Sequence, residues 1–181
     1  MATSTKIAGN GQDDYTSGGT GVWSDPEHIT ADDSSWATAG SLGGKVTSHY
    51  LRANQFGFAI PTGATINGIS ATIMRKCSNN DMTNYAVDAR VSIIKADGSI
   101  GSTNKYGSLT HWPTLEATAS YGGTTDLWDE TWTPDAINDS SFGIVLCIYT
   151  LASLPMVMAS VDYITVTVTY TLDTSKFFLM W

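Results

Sequence analysis

Residues 158–172 read MASVDYITVTVTYTL, and their alternation constrains the fold more than any other feature of the chain. Ile164, Val166, Val168 and Tyr170 fall on one face, and Thr165, Thr167 and Thr169 on the other. This period of two belongs to a half-buried β-strand. The same period recurs at INGISATIMRKC (66–77), where Ile69, Ala71 and Ile73 share a face opposite Ser70 and Thr72. In YAVDARVSII (85–94) it places Val87, Ala89, Val91 and Ile93 inward and Asp88, Arg90 and Ser92 outward. FGIVLCIYT (142–150) is apolar almost throughout, which suits a central strand covered on both faces. No segment sustains a helical period.

The punctuation between these segments supports short antiparallel strands. PTGAT (61–65) and Asp97-Gly98 carry turn chemistry, the latter favouring a tight hairpin. Thr133-Pro134 opens a single helical turn that runs to about Asn138, with Thr as N-cap and Pro in the first helical position. Leu127, Trp128 and Trp132 are placed to cover one open edge of the core. The fold class is therefore all-β: one antiparallel β-sandwich, jelly-roll-like or immunoglobulin-like, over residues 45–172. Residues 1–44, rich in Gly, Ser, Thr and Asp, read as an extended N-terminal arm and loops partly packed on the sandwich through Trp23 and Trp36. Residues 173–181, DTSKFFLMW, form an apolar C-terminal tail after the last strand.

Composition excludes several partners. Seventeen Asp plus Glu against nine Lys plus Arg give a net charge of −8. Such a surface repels nucleic acid and anionic membranes. No apolar run approaches the roughly 20 residues of a membrane helix. The N-terminus MATSTKIAGNGQDD has no secretory apolar stretch, which predicts synthesis and use in a cytosol. There Cys77 and Cys147 read as buried free thiols.

Chemistry-bearing patterns are sparse. There is no nucleophile elbow, phosphate loop, dinucleotide fingerprint or zinc-protease helix. His28, His49 and His111 stand far apart. The pairs Asp13-Asp14, Asp32-Asp33 and Asp129-Glu130 lack the spacing of a calcium loop and read as solvated surface. Asp162 falls on the inward register of its strand, as a carboxylate accepting backbone hydrogen bonds or as a cation ligand. No enzyme activity, cofactor or metal is expected. THWPT (110–114) offers His111 and Trp112 as an exposed platform for a sugar.

Three blocks together resemble a family of small β-sandwich structural proteins of tailed bacteriophages: YLRANQFGFAIPTGATINGISATIMRK (50–76), YGGTTDLWDETWTPDAINDSSFGIVL (121–146) and ASVDYITVTVTY (159–170). The resemblance spans roughly residues 20–170. It implies a virion component made in the host cytoplasm, a capsid decoration or cement protein whose partners are the major capsid protein or other virion proteins. A homo-oligomer, with a trimer favoured, fits that role. The alternative is a tail-fibre or receptor-binding module for cell-surface carbohydrate. Phe177, Phe178, Leu179, Met180 and Trp181 lie outside the matched blocks. Apolar and aromatic, they are expected to bind another chain.

Overall fold

The computed structural model describes residues 1–41, 44–106, 110–153 and 156–172. The predicted tail contacts of Phe177–Trp181 lie outside the described residues.

Among the described residues ten strands form two five-stranded antiparallel sheets packed as a sandwich. The first sheet contains β1 (Ala2–Ile7), β3 (Ala37–Ser41), β6 (Thr65–Cys77), β8 (Ala117–Gly122) and β10 (Val157–Thr171). β10 pairs along one side with β6, which pairs onward with β8; its other side is shared by β1 and β3. The second sheet contains β2 (Asn10–Asp14), β4 (Gly44–Thr47), β5 (Tyr50–Asn54), β7 (Asn84–Ile94) and β9 (Gly143–Ala152). β9 is its centre, with β7 on one side and β4 and β5 on the other. The apolar run at 142–150 is thus central, as its composition requires.

The core lies between the sheets. Ile69, Ala71, Ile73, Val91, Ile93, Ile144, Leu146, Ile148, Ile164, Val166 and Val168 are all buried there. The helical turn α1 (Pro134–Asn138) forms as the sequence predicts, with the Thr133 hydroxyl accepting from the Ala136 amide at 3.1 Å. Trp128 and Trp132 are buried beside it. Trp128 donates its indole N–H to the Ile69 carbonyl at 2.9 Å.

Residues 1–44 are more deeply built in than an arm. β1 and β2 join opposite sheets within the first fourteen residues, and β3 enters the first sheet. Between them, Trp23 is 2% exposed and donates to the His49 carbonyl at 3.0 Å. Glycine and threonine composition conceals these strands because their side chains are short and give no sustained apolar alternation. Backbone pairing to β10 and β5 orders them.

Two register shifts correct the predicted faces. In β7 the pairing with β9 slips between Asp88 and Arg90, which makes Ala89 an extra residue. Val91 and Ile93 keep their predicted inward side, but before the bulge Ala86 and Asp88 point into the sandwich. In β10 the pairing with β6 slips between Val161 and Ile164. Val157, Ala159 and Val161 face the core before that point, and Ile164, Val166 and Val168 after it.

Candidate functional site

The inward row of β6 does not end with Ile73. Two residues on, Arg75 also points between the sheets, where the bulge in β7 delivers Asp88. The two form a buried ion pair through Arg75 Nη1 and Asp88 Oδ1. Trp112 donates its indole N–H to the same Asp88 oxygen at 2.9 Å. Tyr121, inward from β8, donates its hydroxyl to Asp88 Oδ2 at 2.9 Å and accepts from Arg75 Nη1 at 2.7 Å. The guanidinium carbon lies 4.8 Å from the Trp112 ring centroid. Both carboxylate oxygens are therefore bonded, and the cation is held by charge, hydroxyl and ring together.

Burial, reinforced by the charge of Asp88, holds the Tyr121 hydroxyl far above its ordinary pKa. It stays protonated and acts as a donor, not a base. The cluster opens on a cleft of about 190 Å³ that Lys105, Thr110, Ala119 and Ser120 also line. Lys105 is anchored on Asp126 at 2.8 Å. Burial alone would raise the Asp126 carboxyl, but the Lys105 ammonium outweighs it and holds the group below its usual range. A second cleft, of about 260 Å³, lies between Lys76, Cys77, Ser78, Thr114, Met158 and Ser160. Both volumes fall under the roughly 300–1,000 Å³ of small-molecule sites.

The predicted platform is not an exposed pair. Trp112 is fully buried in the ion-pair cluster, because its N–H satisfies a carboxylate that the alternation had placed outside. His111 turns the other way. It stacks on Tyr85 with ring centroids 4.0 Å apart and planes 11° apart, and its Nδ1 lies 3.0 Å from Asn80 Oδ1.

The acidic pairs are engaged within the fold. Asp13 meets His49 Nδ1 at 2.7 Å and accepts the Trp23 amide at 2.8 Å. Asp14 bonds Arg52 at 2.8 Å, and Asp129 accepts from the Thr103 hydroxyl at 2.7 Å. Among the described residues no group of three or more His, Cys, Asp or Glu side chains is arranged to hold a metal ion. Cys77 and Cys147 are buried free thiols whose pKa burial raises.

Asp162 sits in the register shift of β10, beneath the Asp32–Ser34 loop rather than in the apolar core. It is 3% exposed, and its Oδ1 has no hydrogen-bond partner. Burial raises its pKa; the backbone N–H groups of Asp33 and Ser34 counter this in part, and the charges of Asp32 and Asp33 add to the rise.

The outer face of the first sheet carries rows of hydroxyls. Thr5 bonds Thr167 at 2.8 Å, and Thr72 lies 3.4 Å from Ser120. Pairing registers align Ile7, Thr165, Thr72 and Ser120 across four strands. Sequence alternation places Thr72, Thr165 and Thr167 on this outer side; Thr169, expected there too, is 2% exposed. The sequence also carried a signal for Arg75, since the Ile69–Ala71–Ile73 alternation leads directly to it. Nothing in the sequence marked the Asp88 bulge.

No protein-family model and no curated protein matches this chain. Solved structures do. One, described as "CBM4 structure and function", aligns over 90% of this chain and 92% of its own at 12% identity, with a TM-score of 0.41. Another, the N-terminal cellulose-binding domain of Cellulomonas fimi β-1,4-glucanase C, aligns over 93% and 97% at 15% identity, with a TM-score of 0.36. Similarity this distant carries no argument about what the present chain binds.

Proposed function

We propose that this chain is a non-enzymatic structural protein of a tailed-bacteriophage particle, a capsid decoration or cement protein that grips the shell and neighbouring subunits. The observation that carries the reading is where the polar chemistry goes. Arg75, Asp88, Tyr121 and the Trp112 N–H consume one another between the sheets. They stiffen the body and leave no free base or nucleophile among themselves. What the first sheet offers outward is a face rich in hydroxyls, with the Lys76–Glu116 pair at one end, suited to packing against protein. Many copies on a symmetric lattice make weak single contacts sufficient. The sequence resemblance supports the same assignment. Quantitative mass spectrometry of particles purified from the encoding phage tests it. Hundreds of copies per particle are expected; none, or only a few, overturns the decoration role.

One observation favours a second reading, a module for cell-surface carbohydrate. Tyr85, on the outer side of β7, and His111 form a stacked, half-buried aromatic pair. Such a pair can present a ring to the apolar face of a sugar. Affinity electrophoresis in polysaccharide gels, with wild type beside Tyr85→Ala, distinguishes the readings. Retardation lost in the variant supports carbohydrate binding, and migration unchanged for both proteins rejects it.

A further inference from the structure

The sandwich treats two neighbouring strand edges differently. On β7 the outward side finds partners along most of its length. Its Ala86 carbonyl accepts the Trp112 amide at 2.8 Å, its Val91 carbonyl accepts the Lys105 amide at 2.8 Å, and its Ile93 carbonyl accepts the Gly101 amide at 2.8 Å. The Asn104 side chain fills the gap, accepting from the Val91 amide at 2.9 Å and donating to the Ala89 carbonyl at 3.1 Å. On β8, at the edge of the facing sheet, no backbone bond among the described residues reaches the side away from β6.

That edge lacks the usual protection. Ala117, Thr118, Ala119 and Ser120 are small and uncharged, without the lysine, proline or bulge that blunts natural edges. The 190 Å³ cleft runs beside it, with Ala119, Ser120 and Tyr121 on one wall and Lys105 and Thr110 on the other. An unprotected edge beside a groove is the geometry of strand addition.

We propose that the free edge of β8 receives the segment Phe177–Trp181 of a second copy of this chain, added as an extra strand. Reach favours a second copy over the same one for addition of the whole segment. The pairing registers set Thr167 opposite Ser70 and Ser70 opposite Gly122, so the near end of β8 is level with a residue five positions before Leu172. Three strand spacings of about 4.8 Å and five rises of about 3.4 Å put that free edge roughly 22 Å from Leu172. Five residues, Asp173 to Phe177, span at most about 17 Å. A chain's own Phe177 therefore falls short of its own β8, and at most Leu179 to Trp181 could reach it, whereas a neighbour's whole segment meets no such limit.

The segment itself suits the position. Phe177–Trp181 carries no charged side chain, so it adds to an uncharged edge without repulsion between two chains of net charge −8. Alternate side chains then serve two surfaces: one set covers the cleft beside Tyr121, and the other lies along the outer hydroxyl face. Because donor and acceptor are different parts of the chain, the contact is head-to-tail and closes into a ring when the rotation permits. The edge reachable within one chain is that of β1, whose end at Ala2 pairs with Tyr170. That edge carries Lys6, and a tail returning along it would run parallel to β1.

Hydrogen exchange of the full chain, read by mass spectrometry across a hundredfold range of protein concentration, tests the proposal beside sedimentation of the same samples. Protection of 117–122 and of 173–181 is expected to rise together as the chain associates. Phe177→Ser with Trp181→Ser is expected to weaken association at least ~30-fold and to abolish the rise at 117–122. Exchange in the core strands β6 and β9 reports whether that variant is folded. Three results overturn the proposal: a chain that stays monomeric throughout, protection at 117–122 that ignores concentration or the tail substitutions, or tail protection that is independent of concentration and accompanied by protection of 2–7. None of these readouts depends on the particle, so the virion assignment and this one fail separately.

Discussion

Arg75 of β6 and Asp88 of β7 form an ion pair across the interior of the sandwich, each held in place by Tyr121. Their side chains are 9% and 3% exposed, so either charge left alone would be both desolvated and unpaired. Asp88→Ala is expected to destabilise the fold by about 3–5 kcal/mol. Replacing both residues by apolar ones of similar volume is expected to cost clearly less than that single change. Urea denaturation of the three proteins measures this, and equal losses for single and double variants would refute it.

Asp162 makes stability depend on pH with a definite sign. Its folded pKa is raised above the ordinary carboxylate value, first by burial, so the folded state holds a proton that the unfolded chain has released. In that window the folded state binds more protons, and stability falls as pH rises from about 3.8 through the raised value. Asp162→Asn keeps an acceptor for the Asp33 and Ser34 amides and sets an NH₂ group where Oδ1 has no partner. The variant is expected to gain about 1 kcal/mol at pH 7 and to lose the slope in that window. Denaturant midpoints at pH 4.5 and 7 test both statements.

Gly122 ends β8 with φ of +74°, and it approaches its neighbours closely. A Cβ there would stand 2.3 Å from the Ile69 carbonyl oxygen and 2.7 Å from Trp128 Nε1. Gly122→Ala therefore strains the backbone and disturbs the bond that anchors the buried indole. A loss of about 2–3 kcal/mol is expected, with a blue- or red-shifted tryptophan emission marking the displaced ring. An unshifted melting temperature would contradict it.

Cys77 and Cys147 are buried, and their raised pKa values keep both thiols protonated at neutral pH. Neither is expected to react with an aromatic disulfide reagent in the native protein, and both are expected to react once it is unfolded. Rapid modification of either residue without denaturant would show that its cover opens.

Much of the architecture was legible because strand pattern is local. Alternation at 66–77 and 158–172, the apolar run at 142–150 and the Thr133-Pro134 start each act over a few residues. Each appears where it was expected, as β6, β10, β9 and α1. Local pattern failed where one extra residue inverts every face beyond it. The Ala89 bulge turned Asp88 inward, and the shift at 162–163 took Asp162 out of the core row.

The candidate site shows the same division. By itself the sequence determined that this chain alternates its faces, is poor in charged residues with a net negative charge, and makes sheets, because period and composition act through each residue's own preference for water or apolar surroundings. It could not determine that Trp112 is buried on Asp88, that β1 and β2 are strands, or that among the described residues the outer side of β7 finds backbone partners while that of β8 finds none. Those outcomes depend on which backbone groups from distant parts of the chain find partners, and only the packed sandwich decides that.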